Sequence, residues 1–224
     1  MSTVEPQYSH CVEVDKEFGR TRFGLMSNQV WHDDPKRLLF VLARYKFVSR
    51  MMAGKNSVLE IGCADAFGTR LVRQTVPNVT ATDIDPLFIE DCLSRERDSA
   101  WPVTYKVHDM VASAFGRRFD GVYALDVFEH IPATVEHQFI RNAKESLADD
   151  GILIIGSPSL ESQQYASEGS KEGHVNCKSG DDMRQTFRKH FDNVLLFSMN
   201  DEIVHTGFEK MAHYLFAVCI GKKR

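Results

Sequence analysis

The 224-residue chain lacks any uninterrupted apolar run of about 18 residues, so no membrane-spanning helix is expected. Its start, Met1 to Asp15, has neither the charged opening nor the apolar core of a secretory signal. Cysteine is sparse. The five thiols (Cys11, Cys63, Cys92, Cys177, Cys219) are odd in number and scattered, with no CxxC pair. That argues against a disulfide frame or a zinc ribbon and for free thiols in a reducing cytoplasm. Positive charge is not in excess: 27 Lys and Arg face 31 Asp and Glu, a net charge of -4, and Lys222-Lys223-Arg224 is the one basic cluster. A nucleic-acid footprint is therefore not visible. Repeats and low-complexity tracts are missing too. What remains is ordinary globular material: 43% hydrophobic and 26% charged residues, enough for one domain with a real core.

The first 30 or so residues show little periodicity. Asp34 and Pro35 then open a helix over about 35–53, with Leu38, Val41, Leu42, Tyr45, Val48 and Met52 on one face. From there short apolar runs alternate with helical stretches. Strands are predicted at 57–61, 79–82, 103–107, 121–125 and 152–155, and helices at 69–75, 86–93 and 134–148. Alternation of this kind implies crossover connections and a mostly parallel, doubly wound α/β sheet. The last third reads as a helix over 181–190 and strands over 194–197 and 214–220, an antiparallel pair at the sheet edge joined by a polar link. Residues 157–178 read as a long polar loop, the kind that usually carries function.

The strongest chemical signal is Val58-Leu59-Glu60-Ile61-Gly62-Cys63-Ala64-Asp65-Ala66-Phe67-Gly68, a buried strand that ends in small residues and opens into a helix. Such a turn lets a ligand approach the backbone at the carboxyl end of the strand. Asp83, at the end of the second strand, can accept both hydroxyls of an adenosine ribose. Asp109 follows the third strand and can accept from an adenine amino group. Asp126 follows the fourth. A dinucleotide turn wants Gly-x-Gly-x-x-Gly, but the corresponding positions are Gly62, Ala64 and Phe67, so a pyrophosphate is poorly served. Ala64 and Ala66, each carrying a methyl group, are expected at negative φ. Cys63 reads as a filler of small space rather than a nucleophile.

Residues 57–159 resemble the class I S-adenosylmethionine-dependent methyltransferases, small-molecule branch. Val58–Gly68 resembles their first motif, Thr80–Asp85 the acidic second, His108-Asp109-Met110 the adenine-contacting segment, Phe119–Pro132 the fourth motif and Leu147–Ser159 the segment around the fifth strand. The resemblance implies a Rossmann-like sheet of seven strands, the last antiparallel, with S-adenosyl-L-methionine as methyl donor. It implies cofactor contacts from Tyr45, Glu60, Gly62, Cys63, Ala64, Gly68, Asp83, Ile84, Asp109, Met110 and Asp126. Arg44-Tyr45-Lys46-Phe47 is similar to a helix that covers the methionine end of the cofactor in methyltransferases of polysaccharide and secondary-metabolite pathways, although Tyr45 also suits a core position. His174-Val175-Asn176 resembles a segment that closes such sites.

For the acceptor side, the candidate base or contact residues are His174, in the long loop, and His130, beside Glu129 past the fourth strand. His205 is a weaker option and His213 reads as structural. A carboxylate trio for a metal cannot be assembled from spacing, so no metal is expected. The resulting reading is methyl transfer to a hydroxyl or amine of a small molecule, a sugar or related metabolite, by a cytoplasmic enzyme with residues 1–34 as an amino-terminal lid and 35–224 as the cofactor-binding domain. A homodimer is one option for its assembly, and neither nucleic acid nor membrane is an expected partner. The alternatives are a nucleic-acid methyltransferase, disfavoured because Asp126-Val127-Phe128-Glu129 stands where an Asn/Asp-Pro-Pro-aromatic segment is usual, a cofactor-binding scaffold without catalysis, and a nicotinamide dehydrogenase.

Overall fold

A computed structural model describes residues 3–96 and 101–223. Arg224 of the terminal basic cluster lies outside them. Two helices precede the first periodic segment, Ser9–Phe18 (α1) and Leu25–Asp33 (α2). The predicted long helix follows as Arg37–Met51 (α3), with the Asp34 carboxylate accepting from the Lys36 amide at 3.3 Å ahead of it. Then come Ser57–Ile61 (β1), Thr69–Arg73 (α4), Asn78–Asp83 (β2), Pro86–Arg95 (α5), Thr104–Val107 (β3), Phe119–Leu125 (β4), Glu136–Glu145 (α6), Leu147–Pro158 (β5), Glu168–Gly173 (α7), Gly180–Arg188 (α8), Phe191–Asn200 (β6), Ile203–His205 (β7) and Tyr214–Lys222 (β8).

The strands form one sheet in the order β3-β2-β1-β4-β5-β8-β6-β7. β1 to β5 are mutually parallel, and β8 runs antiparallel to both of its neighbours. The continuous apolar runs are explained by helices on both faces. Successive residues of one strand enter opposite cores. Leu59, Val122, Ala124, Leu153 and Ile155 meet Phe139 and Ile140 of α6 and Met183 and Phe187 of α8. Val58, Tyr123, Leu125 and Ile154 meet Tyr45 and Val48 of α3 and Val72 of α4.

Two expectations need correction. The sheet has eight strands, because part of the expected polar link pairs along β6 as β7. The expected antiparallel pair is present as β8 and β6 at the end of the sheet, with β8 against β5 and β7 added outside β6. Residues 157–178 are not structureless, since they hold a 3-10 turn at Glu161–Tyr165 and α7. Helices α1 and α2 escaped the periodicity reading for a physical reason. α1 buries nothing, so no apolar stripe marks it, and α2 buries only Ser27 and Val30. Among the described residues no helix is long and apolar enough to cross a membrane.

Candidate active site

The carboxyl ends of β3, β2, β1 and β4 lie side by side and bring the acidic and glycine-turn residues onto one rim. At β1 the chain bends at Gly62, φ 71°. A Cβ there would sit 2.3 Å from Val127 Cγ2, so glycine is required on steric grounds as well as conformational ones. Ala64 and Ala66 follow at φ 45° and 53°, contrary to the expectation of negative φ. Left-handed alanine costs about 1–3 kcal/mol and persists only where surrounding contacts fix it. One contact is visible. The Asp83 carboxylate, at the end of β2, accepts from the Ala64 amide at 2.8 Å and from the Asp85 amide at 2.9 Å. Asp83 is only 9% exposed and thus clamps the turn from the neighbouring strand.

Glu60 is buried beneath the turn and receives the Tyr45 hydroxyl and the Thr69 hydroxyl, both at 2.6 Å. Burial raises its pKa, and these two hydrogen bonds oppose the rise. Tyr45 therefore has a core ring and a polar tip: it supports Glu60 from α3. Gly68 is where that ring passes, because a Cβ there would be 2.0 Å from Tyr45 Cδ2. Cys63 is buried, and its pKa is raised by Cys92, by burial and by Glu60, as suits a space-filling thiol. At the β2 end Ile84 is exposed. Asp109 follows β3 and caps the turn by accepting from the Val111 amide at 2.8 Å. The Met110 side chain joins the core behind it.

The rim after β4 is different in character. Asp126 adopts φ 55° and receives Arg44 of α3 through both oxygens, at 2.8 and 2.6 Å. The Arg44 guanidinium also lies over the Tyr214 ring at 3.9 Å. Glu129 is 1% exposed and neither of its carboxylate oxygens has a hydrogen-bond partner. Burial and the Asp126 charge push it up to about 8. His130 and His174 meet with ring centroids 5.2 Å apart, although one follows β4 and the other α7. One donor atom from each of Glu129, His130 and His174 lies within 4.8 Å of the others. Burial and the neighbouring His130 lower the His174 pKa. The loop that delivers His174 is anchored next to it: the Asn176 amide donates to the Glu129 carbonyl at 2.9 Å, and Asn176 Nδ2 and Lys178 Nζ both reach Glu136, at 2.9 and 2.8 Å.

His205 lies in the edge hairpin with both ring nitrogens engaged, by Asn200 at 3.0 Å and the Gly207 amide at 2.9 Å. The sequence reading missed Gln163, whose Oε1 accepts from His174 Nδ1 at 2.7 Å; nothing in a Ser- and Gln-rich stretch marks it. It also missed Ser27 of α2, whose amide donates to Asp65 at 2.6 Å and whose hydroxyl does so at 3.2 Å. With Phe23 against Phe67 at 5.5 Å, these contacts lay the segment around α2 over the glycine turn.

A family model described as a methyltransferase domain matches residues 59–153. Nodulation protein S of Bradyrhizobium diazoefficiens is 30% identical over 141 residues, 59% of this chain and 66% of that protein, so the match spans a little under two thirds of the relative. Among solved structures, N-methyltransferase NodS from Bradyrhizobium japonicum WM9 in complex with S-adenosyl-L-homocysteine superposes with a TM-score of 0.62 at 17% identity, covering 94% of this chain and 97% of that one. A DhpI complex with S-adenosylhomocysteine gives 0.63 at 15% identity, covering 88% and 92%. Both structural likenesses are of fold.

Proposed function

The chain belongs to the class I S-adenosylmethionine-dependent methyltransferases, and from that premise we propose that it methylates a hydroxyl or amine of a small molecule, with a sugar or related metabolite as the first substrate class to test. The observation that carries this is the order of groups along the rim. Read across β3-β2-β1-β4, the sequence is Asp109, Asp83, the Gly62 bend, then the His130–His174 pair. That is the order adenine, ribose, methionine, acceptor.

The residues fit the donor. Asp83 spends one lone pair of each oxygen on a backbone amide, which leaves lone pairs for two ribose hydroxyls. Ile84 offers exposed apolar surface beside it for a base, and Asp109 a carboxylate at its edge. Gly62 and the two left-handed alanines turn the backbone without bulk at the methionine position. Glu60, at the end of β1, ties that strand to Tyr45 of α3 and Thr69 of α4, and Arg44 fixes Asp126 after β4. Once bound there, S-adenosylmethionine supplies a methyl group already activated as a sulfonium.

The chain's own part is positioning and proton handling. Holding two reactants in near-attack geometry can contribute about 7–11 kcal/mol in ideal cases. His174 donates Nδ1–H to Gln163 and so presents Nε2 with a free lone pair to an acceptor. His130 does the same by donating Nδ1–H to the Gly173 carbonyl at 2.8 Å. Residues 1–34 act as a cover, with α2 pinned on Asp65. Incubation with methyl-labelled S-adenosylmethionine and a panel of sugars, sugar nucleotides and amines tests this. Labelled product is expected, and His174→Ala should slow its formation about a hundred- to ten-thousandfold. Transfer only to a non-sugar class would reject the substrate assignment. Indifference to S-adenosylhomocysteine in calorimetry would reject the whole reading.

A further inference from the structure

The acceptor end holds an arrangement that hydrogen bonding alone leaves unsatisfied. Glu129 is buried with two unpartnered oxygens. Its neighbours in the cluster are two imidazoles. A carbonyl oxygen can only accept, so the 2.8 Å contact to the Gly173 carbonyl fixes the hydrogen of His130 on Nδ1. The Gln163 amide is oriented by its own donations, from Nε2 to the Ser159 carbonyl at 3.1 Å and to the Ser162 hydroxyl at 3.3 Å. Its Oε1 therefore faces His174 Nδ1 and fixes that hydrogen as well. Both rings thus present lone pairs on Nε2. Neither imidazole has a hydrogen on Nε2 to give to Glu129, whose two oxygens are unpartnered although the Ser157 hydroxyl and Arg44 lie in the same surroundings. Asp126 does not relieve it, because its charge is already matched by Arg44 through two hydrogen bonds.

We infer that Glu129, His130 and His174 form a binding site for a divalent transition-metal cation that holds a hydroxyl oxygen of the acceptor. One carboxylate and two imidazoles on one side of an ion, with the remaining positions open, suit Fe(II), Zn or Co rather than Mg or Ca. Nδ1–H bonds to a backbone carbonyl and to a side-chain amide are the outer contacts that orient metal-bound histidines. A positive ion also cancels the charge of a carboxylate that is costly to bury alone. The inference rests on the methyl-transfer reading and narrows it. A hydroxyl oxygen on the ion would be more acidic than a free one and its proton would leave to water, so on this narrower reading the two imidazoles act as ligands in place of the proton-handling role given them above.

The test uses the full chain, stripped with a chelator and titrated with Co²⁺ while visible absorption and equilibrium dialysis are followed, with S-adenosylhomocysteine calorimetry in parallel. One cobalt per chain with ligand-field bands is expected. Glu129→Gln and His174→Ala should each weaken cobalt binding by about tenfold or more. Their affinity for S-adenosylhomocysteine should not change, which also reports that they fold. If one of the two fails to bind that ligand, the other decides. His137 and His190, with ring nitrogens 3.0 Å apart, are the competing imidazole pair, and His190→Ala should leave cobalt binding intact. Absence of bound cobalt, equal affinity in the folded Glu129 or His174 variants, or loss of binding in His190→Ala would each overturn the inference. S-adenosylhomocysteine binding without cobalt binding removes the metal site and spares the methyltransferase reading; cobalt binding alone does the reverse.

Discussion

Replacing Asp83 with alanine should separate a cofactor residue from a scaffold residue, since the proposed function gives the side chain the first role and its backbone contacts give it the second. Its carboxylate holds the Ala64 amide at 2.8 Å and the Asp85 amide at 2.9 Å, and on the proposed reading it also accepts from the two ribose hydroxyls. Two hydrogen bonds from sugar hydroxyls to a charged group are worth about 1.5–3 kcal/mol each, so about 3–6 kcal/mol in total. That corresponds to a loss of S-adenosylhomocysteine affinity of about a hundredfold to ten-thousandfold. Freeing Ala64 from its left-handed conformation adds to the loss, because the binding-competent turn must then be re-formed. Asp83→Asn isolates this part. It keeps the shape and one acceptor, with uncharged hydrogen bonds of about 0.5–1.5 kcal/mol each, so its affinity should fall between the parent and Asp83→Ala. Titration calorimetry gives the affinities, and ligand-free thermal unfolding gives the scaffold contribution. An Asp83→Ala protein that folds and binds S-adenosylhomocysteine as tightly as the parent would refute the reasoning.

Two further outcomes follow from side-chain packing and from burial. Gly68→Ala places a methyl group 2.0 Å from the buried Tyr45 ring and should cost about 1–3 kcal/mol in chemical denaturation, as overpacked cores do; unchanged stability would mean that the ring is free to move. His190, held at about 4 by burial and by His137, takes up its proton less readily folded than unfolded. Stability should therefore fall as pH drops from about 6.5 towards 4, and His190→Gln should flatten that slope in pH-dependent melting curves; an identical slope would count against it.

The strand–helix half of the fold was legible because buried parallel strands must be apolar along their whole length, and Val58–Ile61, Val79–Thr82 and Ile152–Ile155 are broken only by Glu60, Thr80 and Thr82. The rim was legible for a related reason: the residue that ends a parallel strand lies on the rim, so Gly62, Asp83, Asp109 and Asp126 sit there at predictable offsets. What the sequence concealed was convergence. Glu129 and His130 share a turn with each other, but they meet His174 only because α7 and the Asn176 anchor fold the loop back over β4. No spacing encodes that. Left-handed alanine was also hidden, since the clamp that compels Ala64 comes from a different strand. β7 was missed because three residues are too few to show alternation, and the 3-10 turn because it buries no residue and so carries no apolar pattern.

The position of β8 sets a timetable for making this molecule. Until residue 222 has left the ribosome, β5 and β6 have no shared neighbour, and each offers an open row of amides and carbonyls to any other chain nearby. The half built from β1 to β5 is assembled from local strand–helix units and can form early, whereas the second half waits for a distant segment to slot in. Nascent or truncated chains ending before Tyr214 would thus present two sticky ribbons beside a finished half-sheet, and would be the species for a chaperone to shield.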